Sequence, residues 1–219
     1  MLEARDLCCI RDDRLLFQSL NLTIAPGELL QVEGPNGAGK TSLLRILACL
    51  ATPQAGQLLF EGSLVSDDRE GYLANMLYLG HKPGIKQELT PLENLEFYQR
   101  VSPVTDQLSA WELLTLVGLA GYEDMPAGKL SAGQQRRTAL ARLWQSSAKL
   151  WILDEPFTSL DKQGVAGLQK RFAEHLATGG AIIMTTHQEL QMEAENVRRL
   201  RLGQTLASAE PVEAVEVVA

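Results

Sequence analysis

The sequence predicts an α/β fold with a mostly parallel central sheet, and three features of its pattern point there. Two apolar runs, at 150–153 and Ala181–Thr185, carry almost no polar interruption, as expected of strands covered on both faces. A third apolar strand, Leu29–Glu33, runs into a glycine-rich loop and then a helix starting near Lys40. Strand and helix alternate in this way when a parallel sheet is being built.

Taken in order, residues 1 to about 80 read as short strands joined by turns, with the strand, loop and helix unit inside them. The segment from about 84 to 135 is richer in helix and reads as an insertion. Thr90 supplies a cap, Pro91 a first-turn proline and Glu93 the glutamate of a capping box. Leu92, Leu95 and Phe97 then give that helix an apolar face. A second amphipathic stretch, 107–117, closes at Gly118, as a helix ended by a left-handed residue does. No repeat and no Gly/Ser/Pro-rich linker divides the chain, so residues 1–219 are expected to form one globular unit.

Composition narrows the functional classes. Hydrophobic residues make up 45% and charged residues 21%, which excludes a disordered or fibrous chain. The net charge of -7 leaves no basic excess for a nucleic-acid backbone, so no nucleic-acid partner is expected, while a local anion site remains compatible. The longest apolar runs fall far short of the roughly 20 residues that a membrane-spanning helix needs. The N-terminus has no basic segment followed by an apolar one, which predicts a cytoplasmic location. Cys8, Cys9 and Cys49 lack the paired spacing of a zinc or redox motif and are expected as buried or half-buried thiols.

The chemistry concentrates at two places. Gly34-Pro35-Asn36-Gly37-Ala38-Gly39-Lys40-Thr41 fits a phosphate-binding loop and, followed by Ser42, sits where such a loop must, between strand and helix. Glycines let the backbone turn its N–H groups toward phosphates, and the helix start adds the positive end of its dipole. Lys40 is expected on the β and γ phosphates of ATP, and Thr41 on a Mg²⁺ ion bridging them. At 150–155 two carboxylates close a buried strand, where open α/β sheets bind ligands. Asp154 suits Mg²⁺, held through water, and Glu155 suits the base that orients the attacking water. Asp-Glu-Pro is also ordinary turn chemistry, and the phosphate loop decides against that reading.

Leu130-Ser131-Ala132-Gly133-Gln134-Gln135 resembles the signature sequence of ABC ATPases, departing from its commonest form by Ala132 in place of glycine. The resemblance implies an ABC-type P-loop NTPase fold: a mostly parallel sheet, an N-terminal antiparallel β subdomain and the helical insertion. Ser131 and Gln134 form a capping box opening a helix that runs through Arg136, Arg137 and Arg142. In this family such a helix start closes on ATP held by a second copy, so the resemblance implies a homodimer with two nucleotides between its halves. Ser159 and Asp161 resemble the loop that links the two sites, and His187 the histidine at the γ phosphate. Where the family usually carries a glutamine at the start of the helical insertion, this chain has His81. A neutral imidazole can accept a hydrogen bond from metal-bound water, so His81 is expected to replace that glutamine, with activity falling as it protonates. An aromatic often stacks on adenine in the family; here Arg11 can lie on the base as a guanidinium plane, or Ile10 can pack against it.

About thirty residues follow His187, too few for an appended regulatory domain, which disfavours paired-domain and coiled-coil members of the family. The segments 79–90, 132–137 and 185–188 are similar to the ATP-binding subunits of bacterial cytochrome c maturation systems, usually described as part of a haem exporter. That resemblance implies integral membrane subunits as partners and a peripheral position on the cytoplasmic face of the inner membrane. Direct haem binding is not expected: there is no Cys-x-x-Cys-His, and His175 reads as a solvated helix residue. The alternatives are a drug or lipid exporter subunit, or a soluble ABC ATPase acting as a switch.

Overall fold

The computed structural model describes residues 1–101, 108–188, 190 and 197–203. Strands β1 (Leu2–Arg11) and β2 (Arg14–Ile24) form an antiparallel ribbon whose register runs from Leu2 opposite Ile24 to Arg11 opposite Arg14. Asp12 and Asp13 join them with φ of 49° and 59°, the left-handed pair that a tight hairpin requires. Strands β4 (Ala55–Phe60) and β5 (Ser63–Leu64) extend the ribbon into a sheet of order β2-β1-β4-β5, between β3 (Leu29–Glu33) with helix α1 (Lys40–Leu47) and helix α2 (Arg69–Ala74) in the chain. At ten and eleven residues, β1 and β2 are longer than the short strands read from the sequence, because shifts in the β1 register let one strand bend with its neighbours.

The second sheet is parallel throughout. It joins β6 (Met76–Leu79), β7 (Leu150–Asp154), β8 (Ala181–Thr185), β3 and β9 (Val197–Arg201), in that spatial order. Every residue of β7 and β8 is buried, which is why these runs show no polar alternation. The pleat still sorts them by face. Leu150, Ile152, Ala181 and Ile183 pack with α1 and the antiparallel sheet. Trp151, Leu153, Ile182 and Met184 pack on the other side, against Phe157 and against Leu168, Phe172 and Leu176 of helix α6 (Lys162–Ala177).

A third cluster lies among helices. Leu95 of α3 (Pro91–Val101), Leu113 and Leu114 of α4 (Ala110–Leu116), Leu119 and Ala141 bury one another. Thr90 and Glu93 exchange the capping hydrogen bonds expected of them. Phe97, however, is 40% exposed and does not join the apolar face; Asn94 takes the inner position, where its side chain bonds the backbone of Lys86 and Thr90. The helix expected over 107–117 begins only at Ala110, because Ser109 and Glu112 cap it reciprocally; Gln107 lies outside the described residues. Gly118 has φ of 71°, the left-handed geometry predicted.

Helix α5 (Ala132–Leu140) opens with the predicted capping box between Ser131 and Gln134, but it does not run through Arg142, which falls in a following 3₁₀ turn, Ala141–Trp144. His175 is a further correction. Far from solvated, it is 7% exposed and its ring stacks on Trp151 at 3.7 Å with planes 3° apart. A Cβ on Gly180 would overlap that ring, so the turn before β8 needs glycine to leave the imidazole room.

Candidate nucleotide site

In the parallel sheet, Asp154 stands in register with Thr185, and Thr185 with Val32, so three strand ends meet at one carboxyl edge. This is where open α/β sheets place ligands. The loop leaving β3 starts at Gly34, where φ is 146° and an added Cβ would lie 2.5 Å from the Leu202 carbonyl; only glycine fits. It ends at Gly39, a left-handed N-cap with φ of 96°, directly before Lys40 opens α1. The Lys40 ammonium donates to the carbonyls of Gly34 at 2.6 Å and Pro35 at 3.2 Å, arching over the loop.

Opposite the loop, the Asp154 carboxylate accepts from the Thr41 hydroxyl at 2.9 Å and from the Thr185 hydroxyl at 2.7 Å. Glu155 has φ of 50°, a strained conformation for a residue with a side chain. Its N–H donates to the Thr185 hydroxyl at 2.9 Å, so one threonine fixes both acidic residues. The Glu155 carboxylate reaches out to the exposed His187, Nε2 to Oε1 3.4 Å.

These groups share one cleft of about 490 Å³. Its walls are Arg11 and Leu16 from the first hairpin, Pro35, Asn36, Gly37, Gly39, Lys40, Thr41 and Ser42 from the loop and α1, then His81, Asp154, Glu155, Thr158 and His187. Gly34 and Ala38 stand behind it as scaffold. Ile10 is exposed outside the walls, whereas Leu16, which the sequence did not single out, contributes an apolar surface beside Arg11.

Ser131, Ala132, Gly133, Gln134, Ser159 and Asp161 do not line the cleft. They form a neighbouring surface of their own. Gly133 packs so closely on this surface that an added Cβ would stand 2.6 Å from the Ser159 carbonyl, while Ala132 points its methyl outward and tolerates it. Arg137 bonds Asp161 at 2.7 Å, and Asp161 in turn caps α6 by accepting from the Gly164 N–H.

Two residues that sequence reading missed hold the acidic turn. Thr185 is the polar end of an otherwise apolar strand, a readable sign of a buried hydrogen bond. Arg136 falls in the helix expected after Ser131, yet it is 3% exposed, and its guanidinium donates to the carbonyls of Gly80, Asp154, Glu155 and Pro156. Its spacing from Ala139 and Leu140, three and four residues on, was the signal that it faces inward.

The ABC transporter family profile matches residues 17–158, close to two thirds of the sequence. The chain belongs to the ABC transporter family. Among its curated relatives in that family is the cytochrome c biogenesis ATP-binding export protein CcmA of Yersinia pseudotuberculosis, 58% identical over 205 residues, covering 94% of each chain. The protein of the same name from Escherichia coli K12 is 52% identical over 208 residues, covering 95% of this chain and 99% of its own. Solved ABC cassettes share the fold. The ATP-binding subunit of an ABC transporter aligns with a TM-score of 0.79 at 24% identity over 92% of this chain and 87% of its own. A dimeric post-hydrolysis cassette bound to ADP and Pi gives 0.77 at 22% identity over 92% and 94%. Membership in the ABC transporter family makes this chain an ATP-binding ATPase.

Proposed function

We propose that the chain, a single ABC nucleotide-binding unit over residues 1–219 with its helical part at about 84–135, is the ATP-hydrolysing subunit of a bacterial cytochrome c maturation complex of the haem-exporter type. In that complex ATP hydrolysis drives haem delivery or release of a haem-loaded chaperone. The relatives named for cytochrome c biogenesis, at 52–58% identity over nearly full length, support the assignment. For the chemistry, the observation that carries the reading is the Thr41–Asp154 hydrogen bond, which brings the phosphate loop and the acidic strand end to one point beside Glu155.

The loop N–H groups and Lys40 receive the triphosphate, and Lys40 exchanges its two carbonyl partners for phosphate oxygens. Thr41 and Asp154 present a hydroxyl and a carboxylate, the hard oxygen donors that suit Mg²⁺. A Mg²⁺ ion held there would offset negative charge on the phosphates. Glu155 orients the attacking water and accepts its proton; His187 contacts the γ phosphate and steadies the Glu155 carboxylate. His81 accepts a hydrogen bond from water at the cleft wall, and Arg11 lies against the base with Leu16 beneath it. The helix start at Ser131, Ala132, Gly133 and Gln134, exposed at its first two residues, meets the γ phosphate held by a second copy, with Ser159 and Asp161 linking the two sites.

The partners are thus a second copy of the chain and integral membrane subunits, at the cytoplasmic face of the inner membrane. Exposed Phe97, Val101 and Trp111 on the helical part supply apolar surface for such docking. Neither nucleic acid nor haem is a ligand of this chain. A strain carrying Lys40→Ala tests the assignment: holo-cytochrome c is lost while the apoprotein is still made. Normal holo-cytochrome c with that variant would refute it.

A further inference from the structure

We infer that Arg136 is a positioning residue for hydrolysis: it ties the helix that carries Ser131 to the main chain that aims both Glu155 and His81. The inference rests on the ATPase reading above and adds a part to its machinery.

Arg136 lies in α5, five residues after Ser131, and is almost wholly buried. Each of its recorded hydrogen bonds goes to a main-chain carbonyl. One terminal nitrogen donates to Gly80 at 2.8 Å; the other donates to Asp154 at 2.9 Å and Glu155 at 2.7 Å; Nε reaches Pro156 at 3.4 Å. Bonds from a charged donor to carbonyls are stronger than neutral ones, and the rigid planar fork fixes the relative position of everything it holds. Here it holds the exits of two strands: β6, which leads into His81, and β7, which leads into Glu155.

Glu155 needs such a clamp. With φ of 50° its backbone is in a region that side chains disfavour by about 1–2 kcal/mol, so the surroundings must impose it. Thr185 secures the N–H side of that residue and Arg136 the carbonyl side. Without the guanidinium the peptide is free to relax, and the carboxylate swings away from the cleft. Because the clamp is mounted on the Ser131 helix, the aim of Glu155 and the place of His81 depend on where that helix start sits. Contact of Ser131 with a distant phosphate is thereby felt at the base. Burial of the guanidinium opposes its charge, and the nearby Asp154 and Glu155 carboxylates favour it.

Arg171 provides the control. It too donates through two nitrogens to a main-chain carbonyl, that of Leu143, but that carbonyl belongs to no residue of the cleft wall, whereas Arg136 holds those of Asp154 and Glu155. The test compares Arg136→Gln, Arg136→Lys and Arg171→Gln as full-length proteins. In both Arg136 variants kcat for ATP falls on the order of 100-fold, the loss that a misplacement of about 1 Å brings, while KM and nucleotide Kd stay within about threefold. Lysine retains the charge without the fork and does not rescue. Arg171→Gln lowers the thermal midpoint but leaves kcat within about twofold. Parental kcat in Arg136→Lys, or a raised KM with kcat unchanged, overturns the inference. Should neither Arg136 variant fold, hydrogen exchange on the parent decides: residues 80–82, 132–140 and 155–158 open with one common free energy if the clamp exists, and separately if it does not. A parent without ATP turnover would sink the ATPase reading alone, since the exchange measurement still reads the clamp.

Discussion

Thr41 Oγ1 and Asp154 Oδ2 stand 2.9 Å apart although 113 residues separate them in the chain. The bond joins the start of α1 to the end of β7, and no other pair in the cleft states so directly that loop and acidic strand form one site. Asp154 is nearly fully buried, and the two hydroxyls that it accepts from fix its carboxylate plane.

Asp154→Asn is therefore expected to alter the proposed Mg²⁺ site more than the fold. The amide keeps an oxygen for one threonine but loses the negative charge that attracts a divalent cation. We expect Mg²⁺-dependent ATP binding to weaken at least about tenfold and turnover to fall about 100-fold, with the thermal midpoint shifted by only a few degrees. Mg²⁺ titrations of nucleotide binding check this.

His175 predicts the acid response of the folded state. Burial, and then the neighbouring Arg171 charge, lower its pKa from 6.5 to about 4. The unfolded chain thus binds a proton that the folded chain refuses. Stability is intact above pH 6.5 and is lost as pH falls from there toward 4, by up to about 3 kcal/mol. His175→Phe keeps a ring against Trp151 and removes that proton site. Urea midpoints at pH 7 and pH 4.5 should differ less in the variant than in the parent.

The fold was largely readable because its main signals are local or periodic: the glycine loop between strand and helix, the unbroken strands at β7 and β8, and the caps at Thr90 and Ser131. What the sequence hid depends on tertiary contacts. His175 lies three residues after Phe172 and seven after Leu168, on the buried face of α6, but an imidazole there reads as solvated until Trp151 is placed beside it. Arg142 looked like helix, but α5 tightens into a 3₁₀ turn after Leu140, and that arginine lies over the Tyr98 ring at 3.9 Å. Arg136 was visible as a charge and invisible as a clamp, since its four acceptors come from two backbone segments, at Gly80 and at 154–156, that are distant from it in the chain.

Gly133 and Ala132 are adjacent and should respond oppositely. A methyl at Gly133 meets the Ser159 carbonyl at 2.6 Å, so Gly133→Ala must push the Ser159 segment aside. Overpacking of this kind costs about 1–3 kcal/mol, and ATPase activity should drop at least about tenfold. Ala132→Gly, at an exposed first-turn position, should cost less than about 1 kcal/mol and leave activity near parental. Thermal melts and steady-state ATPase assays on the two variants make the comparison.

At the cleft wall, His81→Gln should retain turnover within about threefold, because an amide oxygen can accept the same hydrogen bond from water. His81→Leu, which removes the acceptor, should lose about 100-fold in kcat. Equal activity in the leucine variant would remove His81 from the site.

The central claim is that two copies enclose ATP, the phosphate loop of one facing the Ser131 helix start of the other. The most direct measurement is a structure of Glu155→Gln with ATP and Mg²⁺, a variant expected to bind nucleotide and stop before turnover. The account predicts a two-fold dimer in which the Ser131 hydroxyl lies within about 3 Å of a γ-phosphate oxygen held by Lys40 of the other copy. An ATP-loaded monomer, or a dimer with Ser131 remote from any phosphate, would contradict it.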